Sequence, residues 1–160
     1  MDILSSLPAV APTSHLIWEA VIDIADRQDL GTGPLGNRGI VPILGGSFRG
    51  GPGYQAFHGS VLPGGADRQL LRPDGVKELD ALYEMRVADG AVLTIRNRVV
   101  IDETVAGKRY ALSHIAVTAP QGQWEWLNRR VILGTLASAG PERRAVVIRG
   151  WLVTEGEGGN

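Results

Sequence analysis

Apolar and polar residues alternate along much of the chain with a period of two. In segment 15–24 (HLIWEAVIDI), Leu16, Trp18 and Ala20 share one face and Glu19 lies on the other. Alternation of this kind is typical of a strand with one buried face. Further runs with strand character follow at 39–44, 55–62, 67–72, 77–88, 91–102, 108–118, 129–137 and 143–153.

The runs are separated by segments rich in Gly, Pro and Asp, such as PGGAD, RPDG and ADGA, which favour turns. Residues 29–36 are expected to form a loop, and 123–128 (QWEWLN) a single helical turn. Eight to ten strands in sequence predict an all-β fold, a closed antiparallel meander barrel, with a sandwich as the alternative. We divide the chain into an N-terminal arm (1–14), one barrel domain (15–154) and a flexible tail (155–160).

Composition supports an ordinary globular domain. The chain has 160 residues, of which 44% are hydrophobic and 21% charged, so disorder is not expected. Glycine accounts for 22 residues, about twice its average share of about 7%, as turns and bulges of an all-β fold require. The net charge of −1 provides no basic field for nucleic acid or for an anionic membrane.

The absence of cysteine excludes disulfides, thiolate catalysis and sulfur metal sites, and it suits a reducing cytoplasm. The first fifteen residues lack the pattern of a signal peptide, and no apolar run is long enough to span a bilayer as a helix. We therefore expect a cytoplasmic protein. Segment 131–137 (VILGTLA) is apolar on both faces, which indicates an outer surface covered in a homodimer or higher homo-oligomer.

Familiar catalytic and cofactor motifs are not matched. Segment 44–53 (LGGSFRGGPG) resembles a phosphate loop but lacks its Gly-Lys-Ser/Thr ending, and we interpret it as a cluster of β-turns. The histidines His15, His58 and His114 have no metal-binding spacing, and no serine has the context of a nucleophile. We expect neither a metal nor any other cofactor.

The most informative local pattern surrounds Asp89-Gly90, which predicts a two-residue type I′ hairpin turn. With that turn Asp80 pairs with Val99, and Asp80 and Asn97 become diagonal neighbours on one aliphatic face. A carboxylate and a carboxamide in that setting are either a structural hydrogen-bonded pair or part of a ligand site. A slip of one residue exchanges the partners between the two faces of the hairpin.

Several motifs, taken in order, resemble the family called domain of unknown function 3237, also known as uncharacterised protein family 0311. They are VPILGGSF (41–48), HGSVLPGGADRQLLRPDGVKELDALY (58–83), IRNR (95–98) and WEWLNRRV (124–131). The resemblance covers residues 15–153 and implies an antiparallel barrel with a central cavity. It also implies that the patterned residues matter: Asp67, Asp80, Tyr83, Arg96, Asn97, Arg98, Trp126 and Asn128. Arg68 departs from the pattern, which has an aromatic residue there.

Two classes of function use such a cavity. The first is a cofactor-free isomerase, cyclase or lyase that transfers protons on a small carbonyl, enol or polyketide-like compound. The second is a non-catalytic barrel that binds a small organic molecule. For the enzyme we expect Asp80, Asn97 and Asp67 to be catalytic, and the substrate-binding residues to be Tyr83, Arg96, Trp126, Asn128, His58 and His114.

Overall fold

The computed structural model describes residues 2–156, which form ten strands and two short helical segments. The strands are β1 Thr13–Ile24, β2 Gln28–Gly33, β3 Gly36–Gly50, β4 Gly59–Val61, β5 Ala66–Leu71, β6 Lys77–Val87, β7 Val92–Asp102, β8 Tyr110–Thr118, β9 Val131–Ser138 and β10 Ala145–Thr154. The helical segments are α1 Ile3–Ser6 and a 3₁₀ helix, Glu125–Arg129. Neither is long and apolar enough to cross a membrane.

The strands form a closed antiparallel barrel. From β6 to β10 each strand pairs with the next, β10 returns to β1, and β1 pairs with β3. Strands β4 and β5 both bridge β3 and β6, so the two together occupy one position in the wall. Strand β2 pairs with the first part of β3, in line with β1. The wall therefore has eight positions, and the predicted meander barrel is confirmed.

An aromatic cluster fills one half of the barrel interior. Phe57 packs against Trp18, Phe48 and Trp124, with ring centroids 5.8, 5.0 and 4.9 Å apart. A Cβ atom on Gly150 would lie 2.7 Å from the Trp18 ring. Any larger residue at position 150 would therefore clash with the indole of Trp18. Trp18 lies early in β1, and the later residues of β1 line the other half, which is less completely filled.

The hairpin between β6 and β7 differs from the prediction by one residue. Gly90 has a positive φ of 97°, as expected, but Asp89 does not, so the turn is not type I′. Instead the Gly90 amide donates to the Val87 carbonyl and the Val87 amide donates to Ala91, which makes a three-residue loop. Every pair in the hairpin shifts accordingly, and Asp80 lies opposite Arg98 rather than Val99.

Three other expectations need correction. Residues 29–36 are mostly strand, because β2 and β3 form a hairpin there. Most of the glycine-rich segment 44–53 continues β3 instead of forming turns. The run predicted at 55–62 contains only the short strand β4. The helical turn at 123–128 is present as the 3₁₀ helix, and α1 was not predicted. Residues 157–160 of the predicted tail lie outside the described part of the chain.

Candidate functional site

A cavity of about 90 Å³ lies inside the barrel, in the half that the aromatic cluster leaves free. Its walls are mainly aliphatic side chains from β1, β3, β6, β7, β9 and β10. Four polar side chains interrupt this lining: Asp67, Gln69, Tyr83 and Asn97. Because the surroundings are apolar, these polar groups are desolvated, and any of their atoms that lacks a hydrogen-bond partner is costly to bury.

Cross-strand pairing explains how the polar groups meet. Asp67 on β5 lies opposite Ala81 on β6, and Ala81 lies opposite Asn97 on β7. The methyl group of Ala81 leaves open space between the two longer side chains. Gln69 and Tyr83 lie two residues further along their strands, so they project from the same face of the sheet as Asp67 and Ala81.

The Asp67 carboxyl group has a pKa much closer to neutral pH than an ordinary aspartate. Burial raises its pKa from 3.8 to about 6, opposed by a hydrogen bond from Gln69. That bond joins Gln69 Nε2 to Asp67 Oδ2 over 3.0 Å. The other oxygen, Oδ1, is buried and has no hydrogen-bond partner in the described part of the chain. One carboxyl oxygen is therefore held by the protein, while the other can still accept a hydrogen bond or a proton.

Three further polar atoms at the cavity are buried without partners among residues 2–156: Tyr83 OH, Asn97 Oδ1 and Gln69 Oε1. Burial, with a smaller effect of the nearby Asp67 carboxylate, raises the pKa of the Tyr83 phenol above its usual range. The phenol thus stays protonated and can donate a hydrogen bond to a substrate oxygen. The set offers a carboxyl group, a phenol and two carboxamides to one small molecule.

The structure corrects the placement of Asp80. The three-residue hairpin loop turns Asp80 to the outside of the barrel, while Asn97 points inward and is 2% exposed. Arg96 binds both Asp80 oxygens, at 3.1 and 2.9 Å, and this pairing holds the pKa of the Asp80 carboxyl below its usual range. Asp80 is thus neither a neighbour of Asn97 in the cavity nor a group that exchanges protons near neutral pH.

Other predicted site residues also lie outside the cavity. Arg96 and His114 are exposed on the outer faces of β7 and β8, where alternation places them opposite to the inward residues of those strands. His58 is exposed just before β4. None of the three lines the interior cavity.

Trp126 and Asn128 belong to the 3₁₀ helix beyond the aromatic cluster. Trp126 stacks on Tyr54, with ring centroids 6.0 Å apart, and both line a surface groove. The Asn128 amide accepts from the Ala119 amide and donates to the Ala119 carbonyl, each over 2.9 Å, which fastens the 3₁₀ helix to the end of β8. The role of Asn128 is therefore structural. Neither Trp126 nor Asn128 lines the interior cavity, so the prediction that they contact a substrate there is wrong.

The structure thus brings together Asp67, Tyr83 and Asn97 of the predicted residues, and it adds Gln69. The sequence contained a signal for Gln69, because it follows Asp67 by two positions in a strand and so shares its face. Within residues 2–156, no three His, Asp or Glu side chains are grouped in a way that could hold a metal ion.

Fold and cavity together define a closed β-barrel protein with a partly polar interior pocket. The chain belongs to the protein family of unknown function DUF3237, whose family model matches residues 12–153. A UPF0311 protein of Clostridium acetobutylicum is 45% identical over 74 residues, and one of Rhodopseudomonas palustris is 41% identical over 75 residues. These matches cover 44% and 47% of this chain, and they span 44% of each relative's length.

Solved structures share the barrel over nearly the whole chain. A conserved protein of unknown function from Rhodopseudomonas palustris superimposes with a TM-score of 0.79 at 26% sequence identity. The match covers 91% of this chain and 100% of the Rhodopseudomonas chain. An enzyme from Penicillium herquei has a TM-score of 0.70 at 18% identity, covering 92% of this chain and 97% of its own. The second likeness, at that identity, concerns the fold alone.

Proposed function

We propose that the protein is a cofactor-free enzyme that transfers protons on a small carbonyl or enol compound inside the barrel. The observation that carries this proposal is the buried Asp67 carboxyl, whose pKa is about 6 and whose Oδ1 atom has no partner among residues 2–156. A general base or acid works best when its pKa lies near the working pH. That the Penicillium herquei relative is an enzyme is consistent with catalysis in this barrel.

In this mechanism Asp67, as carboxylate, removes a proton from the carbon next to a carbonyl group. The carbonyl oxygen gains negative charge as the enolate forms, and the Tyr83 hydroxyl donates a hydrogen bond to it. The Asn97 amide orients the substrate from the other side of Ala81. Protonated Asp67 then returns the proton to a different carbon, which gives isomerisation, or to the oxygen of a leaving group as its bond to the β-carbon breaks, which gives lyase chemistry. In a cyclase the enolate carbon bonds to a second carbonyl carbon of the same molecule, and the oxygen of that carbonyl takes the proton.

We further propose, from the sequence, that the reaction needs no cofactor, that the protein works in the cytoplasm, and that it forms a homo-oligomer. The substrate is an uncharged or singly anionic organic molecule, polyketide-like or smaller, of which the reacting part enters the cavity. A cavity of about 90 Å³ limits the enclosed part to a small group. A larger substrate leaves its remainder outside.

The second candidate, a barrel that binds a small molecule without reacting, is favoured by the mainly aliphatic lining of the cavity. Hydrogen–deuterium exchange separates the two functions without knowledge of the natural substrate. The protein is incubated in D₂O with enolisable ketones, beginning with cyclopentanone and cyclohexanone, and loss of the α-proton signal is followed by NMR. An enzyme of the proposed kind accelerates exchange, whereas a binding barrel takes up the ketone and leaves its exchange rate unchanged.

Asp67→Asn is the decisive variant, because it keeps the size of the side chain and removes its basicity. We expect it to slow catalysed exchange by about a hundredfold or more, the usual scale for loss of a general base. Asp80→Asn is the matched control on the outer face and should leave exchange unchanged. Wild-type exchange rates in Asp67→Asn would assign the proton transfer to another group and refute the role of Asp67.

A further inference from the structure

The outer face of the barrel carries a row of polar side chains, including two arginines and one aspartate, in register across four strands. Arg68 on β5 lies opposite Asp80 on β6, which lies opposite Arg98 on β7, which lies opposite His114 on β8. Arg68, Arg98 and His114 are exposed. Their neighbours along the strands, such as Asp67 and Asn97, face the interior, so this row lies outside the cavity of the proposed enzyme.

The single carboxylate of the row, Asp80, has three arginines around it, Arg68, Arg96 and Arg98. Asp80 is bound through both oxygens by Arg96, a residue of the adjacent row. In the described part of the chain, neither Arg68 nor Arg98 has a carboxylate within 4.0 Å. This face therefore concentrates positive charge, although the chain as a whole has a net charge of −1.

A second row, parallel to the first, is mainly apolar. Leu70 on β5 lies opposite Glu78 on β6, followed by Val100 on β7 and Leu112 on β8. Glu78 is paired with Arg72, at 3.3 Å between Oε1 and Nη1, so its charge is compensated. Val100 and Leu112 are 41% and 39% exposed, so aliphatic surface meets solvent directly beside the basic row.

The two rows meet in a concave groove of about 560 Å³ on the outside of the wall. Its lining includes Arg68, Arg98, Leu70 and Val100, and Arg38 of β3 adds a third guanidinium. The carboxylates of Asp80 and Glu78 also line the groove, and each is bound by an arginine. The Arg38 head group is held by a hydrogen bond of 2.8 Å to the Leu30 carbonyl, which fixes it at one side of the groove. The groove thus combines several planar, multiply donating cations with an apolar strip.

We propose that this outer groove binds an organic anion with an apolar body, such as a carboxylate or a phosphate monoester. The anionic head lies on Arg68 and Arg98, because guanidinium groups bind carboxylate and phosphate oxygens through paired hydrogen bonds. The body lies along Leu70 and Val100. Adjacent strands are about 4.8 Å apart, so Arg68 and Arg98 begin about 10 Å from each other, and their long side chains can converge on one head group.

Isothermal titration calorimetry with decanoate tests this site. Decanol has the apolar body without the charge, and inorganic phosphate has the charge without the body, so the two serve as partial probes. We expect saturable binding of decanoate that weakens as salt is added, and weaker binding of either partial probe. The double variant Arg68→Gln/Arg98→Gln should weaken decanoate binding at least tenfold. Arg86→Gln is the matched control, because Arg86 is an exposed arginine of β6 without a carboxylate within 4.0 Å in the described residues.

A variant that blocks the interior separates this site from the enzyme pocket. Ala81→Leu fills the interior cavity and should leave decanoate binding unchanged, as long as circular dichroism shows the folded barrel. Binding that is lost in Ala81→Leu and kept in the double arginine variant would place the carboxylate inside the barrel and overturn the proposal. So would the absence of saturable binding, or equal weakening by Arg86→Gln. Failure of this site leaves the exchange experiment on Asp67 unaffected.

Discussion

Asp67 and Asn97 face the same cavity from opposite sides of Ala81, which lies on the strand between them. This relationship depends on the register of two hairpins and on a methyl group where a larger side chain would close the gap. Because the Ala81 side chain is small, Asp67 and Asn97 can both contact one ligand in the space between them. The properties of Asp67 follow from its place in this apolar wall.

The first prediction concerns the stability cost of burying Asp67. Its pKa of about 6 exceeds the ordinary 3.8, so between those values the folded state binds more protons than the unfolded state, and wild-type stability falls as pH rises. Asp67→Asn removes this dependence. Urea denaturation should show similar stabilities near pH 4 and a gain for the variant approaching ~3 kcal/mol at pH 7, from two pKa units at 1.36 kcal/mol each.

Asp80→Asn is the control of opposite sign in the same experiment. The pKa of Asp80 is lowered, first of all by its hydrogen bonds with Arg96, so the stability it provides is present at neutral pH and is lost as pH falls.

A constant difference in the free energy of unfolding between Asp67→Asn and wild type from pH 4 to pH 7 would contradict a raised pKa for Asp67.

The second prediction is that the Asp80–Arg96 pair is a surface ion pair of small effect. Both side chains are close to half exposed, at 43% and 47%, so solvent screens their attraction. Asp80→Asn and Arg96→Gln should each change Tm by no more than a few degrees, and the double variant should resemble either single one. Strong loss of stability in thermal unfolding would mean that the pair braces the barrel.

The third prediction concerns Asp89, which connects the β6–β7 hairpin to the segment before the 3₁₀ helix. Its Oδ1 atom accepts from the Ala91 amide, and its Oδ2 atom accepts from Gln123 Nε2 and Trp124 Nε1, at 2.6 and 2.8 Å. Asp89→Ala should lower Tm and change the fluorescence of Trp124, because the indole loses its partner. Asp89→Asn keeps an acceptor and should have an intermediate effect; identical unfolding curves for all three proteins would refute this connection.

The fourth prediction concerns Gln69, which holds Asp67 through one hydrogen bond. That bond favours the charged carboxylate and lowers the pKa that burial raises. Gln69→Leu should therefore move the pH dependence of catalysed ketone exchange to higher pH, while Gln69→Glu adds a second carboxyl beside Asp67 and should move it further. An unchanged pH profile in Gln69→Leu would show that the bond does not tune Asp67.

Much of the fold was predictable, because the period-two pattern and the turn residues mark the strands and their order. Strand register was harder. Asp89-Gly90 fits a two-residue and a three-residue loop equally well by composition, and the choice turns on whether Asp89 adopts a positive φ. Because Asp89 does not adopt a positive φ, the loop has three residues, and the pairing of β6 with β7 shifts by one residue. With this register Asp80 lies on the outer face of the barrel.

Part of the polar lining of the cavity was also predictable. Asp67, Tyr83 and Asn97 are polar residues within strands patterned for burial, and all three meet at the cavity. The positions of Trp126 and Asn128 could not be predicted from the sequence pattern. A tryptophan or asparagine that lines a cavity has the same local sequence as one that packs on the surface or fastens a 3₁₀ helix to a strand end. Gln69 could have been found from its alternation with Asp67.

The pKa of Asp67 itself tests the central claim most directly, and it requires no substrate. Protein labelled with ¹³C at the aspartate carboxyl groups is titrated by NMR, and the Asp67 resonance is assigned by its loss in Asp67→Asn. We expect the Asp67 carboxyl to titrate near pH 6, because apolar walls disfavour its charged form. An Asp67 resonance that titrates near the ordinary value of 3.8 would contradict a carboxyl poised for proton transfer.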